Sequence, residues 1–271
     1  MPAGYWGPPT ASTNFCERDY FHSHYVAELA NTLSSVPIAL VGVAGLVLCR
    51  RQRLHRTQAA AYAAIATVGV GSVAFHATLL RTGQVLDELP MLWGVLSLIC
   101  VVVETADARA AARGAPPRRG AAAHRLMRAA LGAYSLTSAC LYFAAGFALF
   151  IAMYAFSVLA LVLLALASLF RSPAPAAQLP KRLLVAAAFT YAGGFLLLWL
   201  PGELLCHSLP IMERLPMHAL FHLTSAAGPH LGLTAFALAR YEHENPTAPP
   251  SRLFAGLPAI ERGAALIDKV A

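Results

Sequence analysis

Three histidines, a serine and a pair of carboxylates are the side chains here whose types and spacing can do chemistry. His218 and His222 stand four residues apart, as do Ser72 and His76. That spacing puts both members of a pair on one face of a helix, and for two imidazoles it lets both reach one metal ion. Asp87 and Glu88 follow eleven and twelve residues after His76. Three neutral imidazoles that leave one position for water form the ligand set of a catalytic zinc site. A carboxylate beside such a site can hold and deprotonate the water. Each feature taken alone has a plainer reading. The histidine pair could hydrogen-bond across helices. Asp87 or Glu88 could only cap a helix whose first turn holds Pro90. Ser72, beside Gly69 and Gly71, could be a packing serine.

The elements that carry these residues belong to a membrane protein. The 271 residues are 58% hydrophobic and only 12% charged, with a mean hydropathy of +0.60. Soluble domains carry about 25% charged residues. Crossing a bilayer takes about 20 mostly apolar residues, and such stretches run over roughly 26–49, 59–80, 88–105, 183–200 and 217–239. Residues 129–170 add 42 positions without one Asp, Glu, Lys or Arg, enough for two spans with a turn near Gly146. We therefore expect an all-α membrane protein of seven transmembrane helices, with Asp87 and Glu88 opening the third and Glu28 about one turn into the first. A lumenal segment (1–25), the seven-helix domain (26–240) and an irregular tail (241–271) complete the expected organisation. The first 25 residues lack a basic region followed by an apolar core, so no cleavable signal peptide is expected.

The net charge of +7 reports topology rather than nucleic-acid binding. Arg50, Arg51, Arg53 and Arg56, six arginines from Arg109 to Arg128, Arg171 with Lys181 and Arg182, and Arg240, Arg252, Arg262 and Lys269 account for seventeen of the twenty Lys and Arg. With seven spans all of them fall on one face, which puts the C-terminus in the cytosol and the N-terminus outside or in a lumen. Ser72 and His76 then lie in the outer half of the second span. His218 and His222 lie at the outer end of the seventh, and Asp87 at the outer end of the third. Ionisable groups inside membrane spans are costly and mark function. Four of them and a serine at one depth favour the metal site over the plainer readings.

Several stretches resemble the alkaline ceramidase family, which belongs with the adiponectin-type receptors to a superfamily of seven-span hydrolases. They are Gly-Tyr-Trp-Gly-Pro-Pro-Thr (Gly4 to Thr10), Gly-Ser-Val-Ala-Phe-His-Ala-Thr-Leu (Gly71 to Leu79), Leu-Asp-Glu-Leu-Pro-Met (Leu86 to Met91) and the His218–His222 pair. The resemblance implies that His76, His218 and His222 bind Zn2+, that Asp87 activates the water, and that Ser72 assists at the oxyanion. It also implies a Ca2+ site near the N-terminus, where the family has Asp-Trp-Cys-Glu-x-Asn and a later glutamate. Here the corresponding residues are Asn14, Phe15, Glu17, Asp19 and Glu28. The Asp and Asn have exchanged places, Phe15 stands where only a main-chain carbonyl is needed, and the carboxylate count is kept. Cys49, Cys100 and Cys140 fall in or at the cytosolic ends of spans, leaving Cys16 and Cys206 on the outer side. The family pairs cysteines at matching positions, and a Cys16–Cys206 disulfide is expected.

The activity implied by the resemblance is zinc-dependent hydrolysis of ceramide or phytoceramide to a sphingoid base and a fatty acid. If the protein is eukaryotic, its setting would be the endoplasmic reticulum or Golgi membrane. Two alternatives remain open at this stage. One is a receptor-like member of the superfamily; the other is a membrane protein holding haem between His76 and His222. A transporter would need polar groups continuing across the bilayer, and the cytosolic halves of the spans offer almost none.

Overall fold

Backbone groups in lipid find no water to bond, so an apolar spanning segment closes its hydrogen bonds within itself as a helix. A computed structural model describes residues 4–111, 119–170, 178–206, 208–209, 211–244, 251–254 and 257–260. It shows α1 (Leu29–Arg51), α2 (Arg56–Thr78), α3 (Arg81–Ala111), α4 (Ala121–Ala145), α5 (Phe147–Phe170) and α6 (Gln178–Leu205). After a 3-10 turn at Met212–Arg214 comes α7 (Met217–Glu244). Five of these, α1, α2, α3, α5 and α6, are long and apolar enough to cross a membrane. Phe189 and Leu197 of α6 are 76% and 70% exposed, a display of apolar surface that suits lipid rather than water. The expected turn at Gly146 separates α4 from α5, at a φ of +79° that a side chain would strain.

Three expectations about boundaries are corrected. The third span does not open at Asp87 and Glu88: α3 starts at Arg81, so both carboxylates lie in its second turn and Pro90 in its third. Reading charge as the edge of the apolar run placed the start too late, because these two carboxylates sit inside a helix that continues past them. Glu28 is not one turn into α1 but immediately before it, where its carbonyl accepts the first helical bond from Thr32 N (2.9 Å). The tail is not wholly irregular, since Ser251–Phe254 pairs antiparallel with Leu257–Ile260, Phe254 opposite Leu257. Leu, Phe and Ile at these positions suit strands. Residues 241–244 continue α7, while the remainder of the tail, the linker residues Arg113, Pro116, Pro117 and Arg118, and Arg171 and His207 lie outside the described residues.

The chain forms two units. One gathers Met1–Val43, Tyr62–Met91 and Ala187–Pro229; the other gathers Ala44–Ala61, Leu92–Ala186 and His230–Ala271. The second holds a polar knot of its own, in which Glu104 accepts bonds from Thr57 (2.8 Å) and Arg128 (2.9 Å) and meets His55 (2.8 Å). Every residue singled out for chemistry lies in the first.

Candidate metal centre

The last carbonyls of a helix have no partner within it. At the end of α2 the N-terminal segment supplies partners. Glu28 N donates to His76 O and Ala27 N to Ala77 O, each at 2.9 Å. Thr10 N and Ala11 N then share Leu79 O at 3.1 and 3.0 Å. Leu79 holds a left-handed φ of 53° and is fully buried with Ala27 and Phe75, with Phe15 and Tyr20 packed around them. This apolar plug over the end of α2 brings Glu28 to His76.

His76, His218 and His222 are drawn together so that one nitrogen of each lies within 4.8 Å of the others. Among the described residues no other group of three His, Cys, Asp or Glu side chains is so compact. His76, with no exposed surface, turns Nδ1 onto the equally buried carboxylate of Glu28 and leaves its Nε2 buried and without a hydrogen-bond partner. His218 likewise keeps a buried Nδ1 without a partner. Buried polar atoms are costly unless satisfied, and two lone-pair nitrogens converging in this way are what a bound zinc would satisfy. On His222 it is Nδ1 that is held, by Ser34 Oγ at 2.8 Å, with Ser35 Oγ at 3.3 Å. The Ser34 hydroxyl donates to Asn31 O at 3.0 Å. Its oxygen is then free to accept a hydrogen bond from His222 Nδ1–H, the tautomer that presents Nε2 to a metal. A carboxylate behind one imidazole and a hydroxyl behind another are the outer partners that orient metal ligands. The three donors and these supports fit zinc. The ring centroids stand 4.5 to 5.1 Å apart in all three pairs, which leaves no slot for a porphyrin between His76 and His222.

Ser72 is buried in α2, and its hydroxyl meets the Asp87 carboxylate of α3 as well as Ser35 Oγ at 3.0 Å. The contact depends on Gly71, because a Cβ there would overlap the Leu86 carbonyl. The structure therefore joins all five residues expected at one depth, the three imidazoles in one cluster and Asp87 beside Ser72.

The residues expected to hold calcium are adjacent but not gathered to that density. Glu17 places both carboxylate oxygens on the first turn of α1, accepting from Ala30 N (2.7 Å) and Asn31 N (2.8 Å). Glu28 accepts from Phe15 N (3.2 Å), Asn31 Nδ2 (3.2 Å) and His76. Asp19 takes Asn14 Nδ2 at 2.9 Å, and its other oxygen is buried without a partner. Burial, with the negative Glu28 nearby, raises its carboxyl above the ordinary range. This all-oxygen donor set suits calcium chemically, and the second Asp19 oxygen is a buried acceptor within it.

Phe15 does more than offer a carbonyl: its ring stacks on His218 at 3.6 Å between centroids and borders His76 and Phe75. Ser34, Ser35 and Asn31 are polar neighbours of the cluster that spacing alone did not single out. The signal available was their polarity, a short Asn-Thr-Leu-Ser-Ser run opening an otherwise apolar helix. The expected disulfide is present between Cys16 and Cys206, 190 residues apart. Beside it opens a cavity of about 460 Å³ that reaches His218 and is bordered by Arg18, Glu203 and Arg214.

Fold and site together define a multi-pass membrane protein with a buried three-histidine cluster of metal-ligand geometry. Residues 7–260 match the ceramidase family, and the chain belongs to that family. It is similar to alkaline ceramidase 3 of Mus musculus, 39% identical over 101 residues, which cover 37% of this chain and 38% of that protein. It is also similar to the alkaline ceramidase of Arabidopsis thaliana, 38% identical over 94 residues, 35% of this chain and 37% of that protein. The aligned stretches thus span under two fifths of these relatives' own lengths.

Proposed function

We propose that the protein is a zinc-dependent ceramide amidohydrolase that spans the membrane seven times with its N-terminus lumenal. Its setting would be the endoplasmic reticulum or Golgi membrane of a eukaryotic cell. The observation that carries the reading is the compact His76–His218–His222 cluster beside the Ser72–Asp87 pair, in a chain of the ceramidase family. When bound, zinc supplies an activated water and an electrophile for the amide carbonyl. The chain's own residues do the rest. Glu28 and Ser34 hold two imidazoles in the tautomer that ligates. Asp87, positioned by Ser72, takes a proton from the attacking water and delivers it to the leaving nitrogen. Ser72 can turn its hydroxyl to the developing oxyanion. Asn14, Phe15, Glu17, Asp19 and Glu28 would hold calcium as a structural or regulatory ion, tying the N-terminal segment to α1. Purified protein should hydrolyse ceramide, and His218→Ala and Asp87→Asn should abolish the activity. Zinc-replete wild type with no amidase activity on ceramides of any chain length would overturn the reading.

A further inference from the structure

Glu203, near the end of α6, is set apart from the leucines that follow it. Its neighbours Leu204 and Leu205 are exposed, Leu204 at 67%, while Glu203 is partly buried and lines the cavity that reaches His218. Register explains the direction. Glu203 lies three residues before Cys206 and therefore on the same helix face, and the disulfide pins that face to Cys16. The residues after Cys16, Glu17 and Arg18, line the same cavity. Gly202 beside Glu203 is buried, and a Cβ there would stand 3.3 Å from Met217, so the wall is closed next to the start of α7. Glu17 has both oxygens committed to α1, and Glu213 stands exposed on the 3-10 turn. Glu203 is thus the half-buried carboxylate lining this cavity whose oxygens are not spent on the first turn of α1.

We propose that Glu203 is a specificity-determining residue that receives the hydroxyl-bearing end of the sphingoid base and then holds its ammonium group. The proposal rests on the amidohydrolase reading above and adds the identity of the group that selects the substrate. A chamber with charged walls is unfavourable for alkyl chains, so what enters it is the polar end of the lipid, whose hydroxyls flank the amide. In hydrolysis the water oxygen bonds to the carbonyl carbon and the C–N bond breaks. The acid's proton passes to the amine, giving a carboxylate and an ammonium. A carboxylate in the cavity that reaches His218 bonds the hydroxyls before cleavage and, ionised, pairs with the new cation after it.

Glu203→Gln keeps the shape and removes the charge. With zinc content equal to wild type, we expect KM for ceramide to rise roughly tenfold or more, as for loss of a hydrogen bond to a charged group, with kcat falling much less. Preference for ceramide over an N-acyl alkylamine of the same chain lengths should collapse, and free sphingosine should inhibit roughly tenfold more weakly. Unchanged preference and unchanged inhibition, or an equal loss on both amides, would overturn the proposal. Should the zinc-replete wild type hydrolyse neither amide, the hydrolase reading fails, and binding of labelled sphingosine still decides the residue. Weaker binding by Glu203→Gln than by wild type supports it, and equal binding sinks it.

Discussion

Glu28 shows how much one side chain decides at this centre. Its carboxylate is fully buried and surrounded by N–H groups from Phe15, Asn31 and His76. A buried carboxylate is tolerated only where paired and hydrogen-bonded, and here the pairing fixes which nitrogen of His76 is left for a metal. Glu28→Gln should therefore weaken zinc retention against a chelator by about 10–100-fold. Asp87→Asn should keep its zinc and lose about 10²–10⁴-fold in turnover. Zinc assays on both variants separate the two roles, and equal zinc loss would contradict the division. Asp19 sits in the same segment, outside the spans. Its carboxyl is held above its ordinary range by burial, so its contribution favours the fold below the unfolded-state pKa and is lost as pH rises towards the folded one. A cation would reverse that slope. Thermal unfolding at neutral pH should shift upward with calcium in wild type and not in Asp19→Asn. An equal calcium shift in both would remove Asp19 from the site. The gathering of His76, His218 and His222 was legible from the depth the three share in their spans rather than from the spacing of one pair. The contact of Glu28 with His76 was not, since it depends on a left-handed turn at Leu79 that folds the N-terminal segment back onto α2.

At the scale of elements, the chemistry depends on how closely α2 and α3 approach. Gly71 faces the backbone of Leu86 and Asp87 with no room for a Cβ, and this approach puts Ser72 in reach of Asp87. Gly71→Val should push the helices apart and cost about 1–3 kcal/mol as an overpacking change. A misplacement of about 1 Å at the reacting groups costs roughly 10²-fold in rate. The test is turnover beside zinc content and melting temperature in detergent. Turnover should collapse while the three imidazoles, carried by α2 and α7, keep their zinc. Retained turnover would show that the Ser72–Asp87 contact does not depend on this packing. Helix existence was readable from apolar length, and so was the break at Gly146. The start of α3 was not. Asp87, Glu88 and Pro90 look like a boundary in sequence, yet a buried Gln84 donates to Glu88 (2.8 Å) and the helix runs through them from Arg81.

At the scale of the molecule, charge and redox chemistry speak to one orientation. The Cys16–Cys206 disulfide requires the N-terminal segment and the end of α6 to share a side, and disulfides persist in oxidising compartments. Seventeen of the twenty Lys and Arg fall on the opposite side in a seven-span arrangement, as expected for a cytosolic face. In the seven-span arrangement proposed above, both arguments would put the histidine cluster and its charged cavity on the lumenal side. Single cysteines at Ser23→Cys and Gly120→Cys should therefore label from opposite sides of sealed vesicles with an impermeant maleimide. The Gly120 position should be reached from the cytosolic face and the Ser23 position only after the membrane is opened. An impermeant reductant at the lumenal face should lower the melting temperature and the activity together, because Cys206 and the cavity wall are held by the same bond. Labelling of both positions from one side would overturn the orientation. The histidine cluster would keep its geometry, but the side from which the lipid's polar end enters would have to be reversed.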